Sequence, residues 1–348
     1  MNPRVERLRD SLEDPLLLTN ATNIQYLSGF HSSNGALLVE PDGRLRLFTD
    51  FRYLAAAREV AGAEAVETSR SLIADLARLL SGRIGFEADV LPYALYETLR
   101  DGGLDLVPVS GLVERMRAVK DADELATIRR AAEVTDRAYA RMAEERFVGS
   151  TERALAWRME QLFREEGADE LAFDIIVASG PNGSRPHADS GERTVETGQT
   201  VVVDAGCRIG AYNSDCTRTF ATGPLPERLR EAYAVCLEAQ LAGLEAVRAG
   251  ERGKDVDALV REQIDRTEFH GMFGHGLGHG VGMLVHEQPR LAPTAPDDEV
   301  LRPGNVVTVE PGIYLEGLGG IRIEDLVVVT DDGAEVLSSY TKDLVTVD

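Results

Sequence analysis

A chain of 348 residues, 43% hydrophobic and 28% charged, can bury a sizeable core and is long enough for two domains. Its net charge of −22 argues against nucleic acid and anionic membrane surfaces as partners, because phosphate binding needs concentrated lysine and arginine. Apolar runs such as Pro15–Leu18 and Val201–Val203 fall far short of the ~20 residues that cross a bilayer. The charged start MNPRVERLRDSLEDP lacks the apolar centre of a signal peptide, so the expected compartment is the cytoplasm.

In chain order, residues 1–118 alternate short strand-like and helix-like segments. Strands are expected at Leu16–Thr19, Ala36–Val39, Leu45–Phe48 and Arg83–Phe86, and helices at Tyr53–Val60, Leu72–Leu80 and Tyr93–Leu99. This α/β region shows no catalytic constellation of its own. A boundary falls near Arg117–Asp121, dividing a domain 1–118 from a domain 119–348. Asp121 followed by Glu124 is a capping-box pattern that opens a helix to about Met142. A second helix runs from Thr151 to Glu166 and stops at Gly167. Strands at Ala172–Ala178, Thr200–Ala205 and Asn213–Phe220 follow. Pro226 then starts a helix to about Ala249, closed by Gly250, and another begins near Asp255. After a glycine-rich stretch, Gly271–Gly282, come strands at Val306–Tyr314 and Ile321–Val329. The order helix, helix, strands thus occurs twice, which predicts an α+β domain of two similar halves. Cys207, Cys216 and Cys236 form no metal motif and read as small buried hydrophobes in a reduced compartment.

The carboxylates come in pairs. Asp204 stands in TVVVDAG, an apolar strand where a lone buried charge is costly, and Asp215 follows in YNSDCTRTF. Their midpoint, between Ile209 and Gly210, is a candidate hairpin tip. It predicts that the two face each other across an antiparallel pair, with Cβ atoms ~4.5–5.5 Å apart. Glu310 in TVEPGIY and Glu324 in IRIEDLVVV have their midpoint at Gly317, inside LEGLGG, so a second hairpin repeats the arrangement. Like charges so placed repel unless cations lie between them or protons are shared. Alternation puts Thr217 on the face of Asp215 and Arg322 on the face of Glu324, where both could orient ligands.

His279 is the candidate nitrogen ligand. It lies between His275 and His286 in FGHGLGHGVGMLVHEQPR. Six glycines between 271 and 282 argue against a helical His-x3-His zinc site. HEQP is no HExxH, because Pro289 stops a helix, and GLGHGVG lacks the βαβ frame of a dinucleotide loop.

The stretches FDIIVASGPNGSRPHA, VVVDAG, YNSDCTRTF, GHGLGHGVGMLVHE, TVEPGIY and GIRIED resemble, in this order, the pita-bread metallopeptidases. These include aminopeptidase P, Xaa-Pro dipeptidase and, more distantly, methionine aminopeptidase. NIQYLSGF and FTDFRYLAAA are similar to the family's smaller amino-terminal domain. The resemblance implies an α+β, pita-bread (creatinase/aminopeptidase-like) catalytic domain preceded by a smaller α/β creatinase-type domain. It implies two divalent metal ions per subunit, held by Asp204, Asp215, His279, Glu310 and Glu324, with Mn²⁺ the expected ion and Co²⁺ or Zn²⁺ as alternatives. Glu310, His187 and His286 are then the catalytic residues, and His187, His275, His286, Arg290 and Arg322 meet the substrate. Arg290 matches the prolidase arginine that receives a free carboxylate, so the expected substrate is a small Xaa-Pro dipeptide and the expected assembly a homodimer. The alternatives are an aminopeptidase P acting on longer Xaa-Pro peptides and a non-catalytic, peptide-binding member of the fold.

Overall fold

The computed structural model describes residues 2–348, and the chain divides between Arg117 and Ala118 into two compact units. The first unit is a six-stranded sheet with helices. Its strands are β1 (Leu16–Leu18), β2 (Gly35–Val39), β3 (Leu45–Asp50), β4 (Ala63–Thr68), β5 (Arg83–Glu87) and β6 (Asp105–Val109), in the order β4-β3-β2-β1-β5-β6. β1 lies inside the sheet, antiparallel to β2 and parallel to β5, and its three leucines are all buried. A short, uniformly apolar strand is what burial on both faces demands. The sequence pattern misses β4 and β6. Both are edge strands with exposed positions, and β6 contains Pro108, which an edge tolerates because one side of its backbone needs no partner. It also misses the helices α1 (Pro3–Arg9), α2 (Ala21–Ser28) and α6 (Leu112–Ala118); α3 (Leu54–Arg58), α4 (Leu72–Leu79) and α5 (Tyr93–Asp101) lie where helices are expected.

The second unit opens with α7 (Ala122–Met142). The Asp121 carboxylate accepts from the amides of Asp123 and Glu124, and the Glu124 carboxylate accepts from the Asp121 amide, completing a capping box. Replacing Asp121 by alanine is expected to cost about 1 kcal/mol, read as a fall in the midpoint of a urea unfolding curve. α8 (Glu152–Glu165) has Thr151 as its N-cap, with Gly167 at a φ of +95° just beyond it. α9 (Glu227–Ala246) begins after Pro226, which is its N-cap, and ends three residues before Ala249 because Val247 turns extended. α10 spans Gly253–Asp265.

The strands of this unit are β7 (Glu170–Leu171), β8 (Ile176–Ser179), β9 (Thr200–Asp204), β10 (Cys207–Ile209), β11 (Tyr212–Asn213), β12 (Thr217–Ala221), β13 (Gly278–Gly280), β14 (Glu287–Leu291), β15 (Val306–Val309), β16 (Gly312–Leu315), β17 (Gly319–Arg322), β18 (Asp325–Val329) and β19 (Ala334–Val336). They build two larger sheets, β12-β9-β8 and β14-β13-β15-β18-β19, a small sheet β11-β10-β7 and the two-stranded ribbon β16-β17. Each of the two strands expected around Glu310 and Glu324 is split in two. The chain leaves β15 at Glu310-Pro311 for β16, and it leaves β17 at Ile323-Glu324 for β18. At the breaks the backbone bonds change partners: the Glu310 amide donates to the Leu277 carbonyl at 2.8 Å, and the Glu324 amide to the Thr217 carbonyl at 3.1 Å. Both glutamates therefore sit where strands part.

Two apolar clusters support these sheets. One packs α9 and α10 against β15, β16 and β18, and the other packs α7 and α8 against β9 and β12. Behind β12 and β18 a buried Arg218–Asp325 pair at 2.8 Å also receives Lys342 and Gln240, tying the carboxy-terminal segment to the floor of the unit. All three cysteines are buried and unbridged. Among the described residues no helix is long and apolar enough to cross a membrane.

Candidate metal centre

The ten candidate ligand, catalytic and substrate residues all line one cavity of about 1100 Å³ in the second unit. Its acidic floor comes from two hairpins. The β16–β17 ribbon pairs Gly312 with Arg322 and Leu315 with Gly319, so its turn centres on Gly317, at a φ of +74°. The same register continues in the other sheet, where Val309 pairs with Asp325, and it sets Glu310 level with Glu324.

The first hairpin departs from expectation. Ile209 pairs with Tyr212, so the tip is Gly210-Ala211, one residue later than the midpoint of the two aspartates. In consequence Asp204 lies opposite Thr217, not Asp215. Asp215 falls opposite Gly206, whose missing side chain leaves room where a Cβ would sit 2.0 Å from the Ser214 carbonyl oxygen. The two aspartates are thus diagonal neighbours, still close enough for the Asp204 charge to act on Asp215.

His279 is brought in by β13, wedged between β14 and β15. A Cβ on Gly278 would lie 2.0 Å from the Thr308 carbonyl oxygen, and one on Gly280 would lie 2.2 Å from that of Gln288, so only glycine permits strands this close. The His279 ring donates from Nδ1 to the Gly280 carbonyl at 3.1 Å, which turns Nε2 toward Glu310 Oε1 at 3.3 Å and Asp215 Oδ2 at 3.7 Å. Donor atoms of Asp215, His279 and Glu324 all fall within 4.8 Å of one another. Thr308 donates to Glu310 Oε1 at 3.2 Å and Thr217 to Glu324 Oε2 at 2.7 Å.

Electrostatically the floor holds more negative charge than the protein alone neutralises. Burial pushes the Asp215 carboxyl well above its ordinary range, and the Asp204 charge adds to it. Burial likewise raises Glu324, reinforced by Asp215 and Glu310. Burial raises Asp204 too, against the pull of Arg322. His279 goes the other way: burial lowers it, but the hydrogen bond and charge of Glu310 outweigh burial and raise it to about 9. Burial would raise Glu310, yet His279 brings it down to about 2. With no cation between them, Asp215, Glu324 and His279 are all shifted toward their protonated forms. Asp204 Oδ1 is buried with no hydrogen-bond partner, a costly state for a carboxylate oxygen. A set of four buried or half-buried carboxylates and one imidazole, with an orphaned oxygen and a fixed imidazole tautomer, fits divalent cations.

Arg322 is consumed by the protein. It donates to Thr217 Oγ1 at 3.0 Å, to the Pro186 carbonyl at 3.1 Å, to Tyr314 Oη at 3.0 Å and to Asp204 Oδ2 at 2.6 Å. His275 is similarly committed. Its Nδ1 donates to the Gly276 carbonyl at 2.8 Å, and its Nε2 meets Tyr314 Oη at 2.8 Å. Both ring nitrogens of His275 are thus taken, and four of the five N–H groups of Arg322. His187 and His286, by contrast, are exposed in the cavity, and His286 packs edge-on against His279 with ring centres 4.3 Å apart. Arg290, level with His279 across the β13–β14 pair, is exposed, and among the described residues its guanidinium has no hydrogen-bond or ion-pair partner. Tyr314 and Thr308 were missed in the sequence. The period-two spacing Thr308, Glu310, Gly312, Tyr314 was the available signal.

A buried acid cluster of this kind facing histidines in a large cleft is a metallohydrolase arrangement, and comparison with known proteins agrees. The model for metallopeptidase family M24 matches residues 126–331, and that for the creatinase/prolidase amino-terminal domain matches residues 4–119. The chain belongs to metallopeptidase family M24. The Xaa-Pro dipeptidase of Pyrococcus furiosus is 32% identical over 99% of this chain and 100% of its own length. Among solved structures, the Xaa-Pro dipeptidase from Bacillus anthracis shares 37% identity and superposes with a TM-score of 0.94 over 99% of both chains. The X-Pro aminopeptidase from Thermotoga maritima shares 33% identity, with a TM-score of 0.89 over 99% of this chain and 100% of that one. The M24 chain is therefore an α+β, pita-bread metallopeptidase with a creatinase-type amino-terminal region, as its motifs imply.

Proposed function

We propose that this M24 peptidase hydrolyses the bond between an amino-terminal residue and proline, with Xaa-Pro dipeptides as its preferred substrates. The observation that carries this reading is the pairing, in one cavity, of a buried carboxylate–imidazole floor with an unpartnered guanidinium, Arg290. Asp204, Asp215, His279, Glu310 and Glu324 would hold two divalent ions. When bound, such ions polarise the scissile carbonyl and make water acidic enough to lose a proton near neutral pH. Mn²⁺ suits a set dominated by carboxylate oxygen, with Co²⁺ or Zn²⁺ as alternatives.

The side chains supply the rest. Glu310, kept ionised beside His279, accepts the proton of the attacking water and passes it to the departing proline nitrogen. Burial lowers both His275 and His286, and the charge of His279 lowers His286 further, so neutral His286 donates one N–H to a peptide oxygen. His187, lining the same cavity, donates another. Arg290 receives the dipeptide's carboxylate through its planar fork. Arg322 and His275, expected to touch substrate, also hold Asp204 and Tyr314 in place. The free cysteines support a cytoplasmic location, and the family resemblance supports a homodimer, which sedimentation would test.

The direct test is hydrolysis of a panel of Xaa-Pro dipeptides by chelator-stripped protein, with and without each metal. Absence of metal-dependent cleavage would reject the reading. A thermal measurement gives a second check. In the stripped protein Asp215 and Glu324 have raised carboxyl values, so their folded forms hold protons that the unfolded chain has released above about pH 4. Stability must then fall as pH rises through their folded values. His279, raised to about 9, adds stability that is complete below about 6.5 and is lost as pH climbs through about 9. Both effects have the same sign, and the histidine part falls between about pH 6.5 and 9. The rise in Tm on adding metal is therefore expected to grow over that range, and a metal effect independent of pH would contradict the proton-for-metal exchange.

A further inference from the structure

Glu152 opens α8 and is fully buried, yet it contributes nothing to the metal floor. Its carboxylate accepts four hydrogen bonds. Oε1 takes the Ser179 amide at 2.8 Å and the Ser179 hydroxyl at 2.9 Å; Oε2 takes Asn182 Nδ2 at 2.8 Å and the Gly191 amide at 3.3 Å. Ser179 and Gly191 are the two ends of the strap that runs over residues 180–190. One side chain thus clasps both ends of that strap, and Asn182 extends the clasp by also donating to the Asp189 carbonyl at 3.1 Å.

The strap carries His187 and, beside it, Pro186, whose carbonyl receives Arg322. Its first turn, Gly180–Ser184, rests on β17, where a Cβ on Gly320 would lie 1.9 Å from the Gly183 carbonyl oxygen. The far end is secured by Ser190, whose hydroxyl accepts from the Val177 amide at 2.7 Å and donates to the Ile175 carbonyl at 3.2 Å. Between these anchors, the exposed His187 makes no hydrogen bond, ion pair or ring contact among the described residues, so its place in the cavity depends on how the strap is closed.

We propose that Glu152 is a positioning residue for substrate recognition, acting through the strap on His187. It rests on the reading that His187 meets the peptide. Burying an ionised carboxylate needs several donors, and here all four come from the strap or its ends, so the charge is spent on holding that segment. Glutamine at this position keeps the shape but turns an NH₂ toward two of the four donors, opening one side of the clasp.

The test is a double-mutant cycle on metal-loaded enzyme with a Xaa-Pro dipeptide. Glu152→Gln is expected to raise KM about tenfold, the loss typical of a buried acceptor left mispaired, while kcat and metal affinity change little. His187→Ala should raise KM by itself, and in its background Glu152→Gln should add little. Asn182→Ala, which removes one donor from a half-buried position, should give a smaller change in the same direction and serves if Glu152→Gln fails to fold. A full tenfold effect of Glu152→Gln in the His187→Ala background, or an equal loss of metal affinity, would overturn the proposal. An unchanged KM in His187→Ala alone would instead remove the reading of His187, and with it the ground for this one.

Discussion

Replacing Glu310 by glutamine is expected to lower kcat by roughly a thousandfold, within the range seen when a positioned proton carrier is lost. The substitution preserves shape. Thr308 Oγ1 can still donate to the remaining carbonyl oxygen, and the Glu310 amide bond to the Leu277 carbonyl is untouched, so far-UV circular dichroism should not change. What disappears is the negative charge 3.3 Å from His279 Nε2, together with the basic site that takes the water's proton. Because His279 owes its raised value to that charge, its titration should move back toward the ordinary imidazole range. Turnover close to the unmodified enzyme would exclude Glu310 as the proton carrier, whatever else the substitution does.

The two hairpins show why one acidic pair was easier to read than the other. Glu310 and Glu324 are symmetric about Gly317 in the sequence and remain so in the structure, because that turn is the true centre of a register running through both β15–β18 and β16–β17. Asp204 and Asp215 are symmetric about a point one residue short of the real tip. Glycine at 210 marks the turn correctly, but a side-chain period of two makes a one-residue error decisive, and Thr217 takes the place given to Asp215. The helices with strong caps, α7 and α8, were legible to within a residue because their signals are local. The commitments of Arg322 and His275 were not. Both depend on Tyr314, and Arg322 also on Asp204 and the Pro186 carbonyl far away in sequence, and no local pattern reports such partners. Glu152 is the same case: in sequence it is an ordinary acid in a first helical turn, and its meaning comes from Ser179 and Gly191.

Arg290→Ala is expected to reduce kcat/KM for Xaa-Pro dipeptides about a hundredfold through KM, while kcat/KM for Xaa-Pro-Xaa tripeptides changes by less than about threefold. The asymmetry follows from where charge lies on each substrate. In a dipeptide, proline ends in a carboxylate one residue beyond the scissile bond; in a tripeptide that position is a neutral amide. A cation that has no partner among the described residues and stands level with His279 across the β13–β14 pair meets the first and gains little from the second. Loss of a charge-assisted, two-pronged contact within a cleft is worth a few kcal/mol, which sets the size of the effect. Arg290→Lys should recover part of it, since an ammonium keeps the charge but not the planar fork. If both substrates suffer equally, Arg290 supports the wall of the cleft and does not read the carboxylate, and chain-length preference must be sought elsewhere.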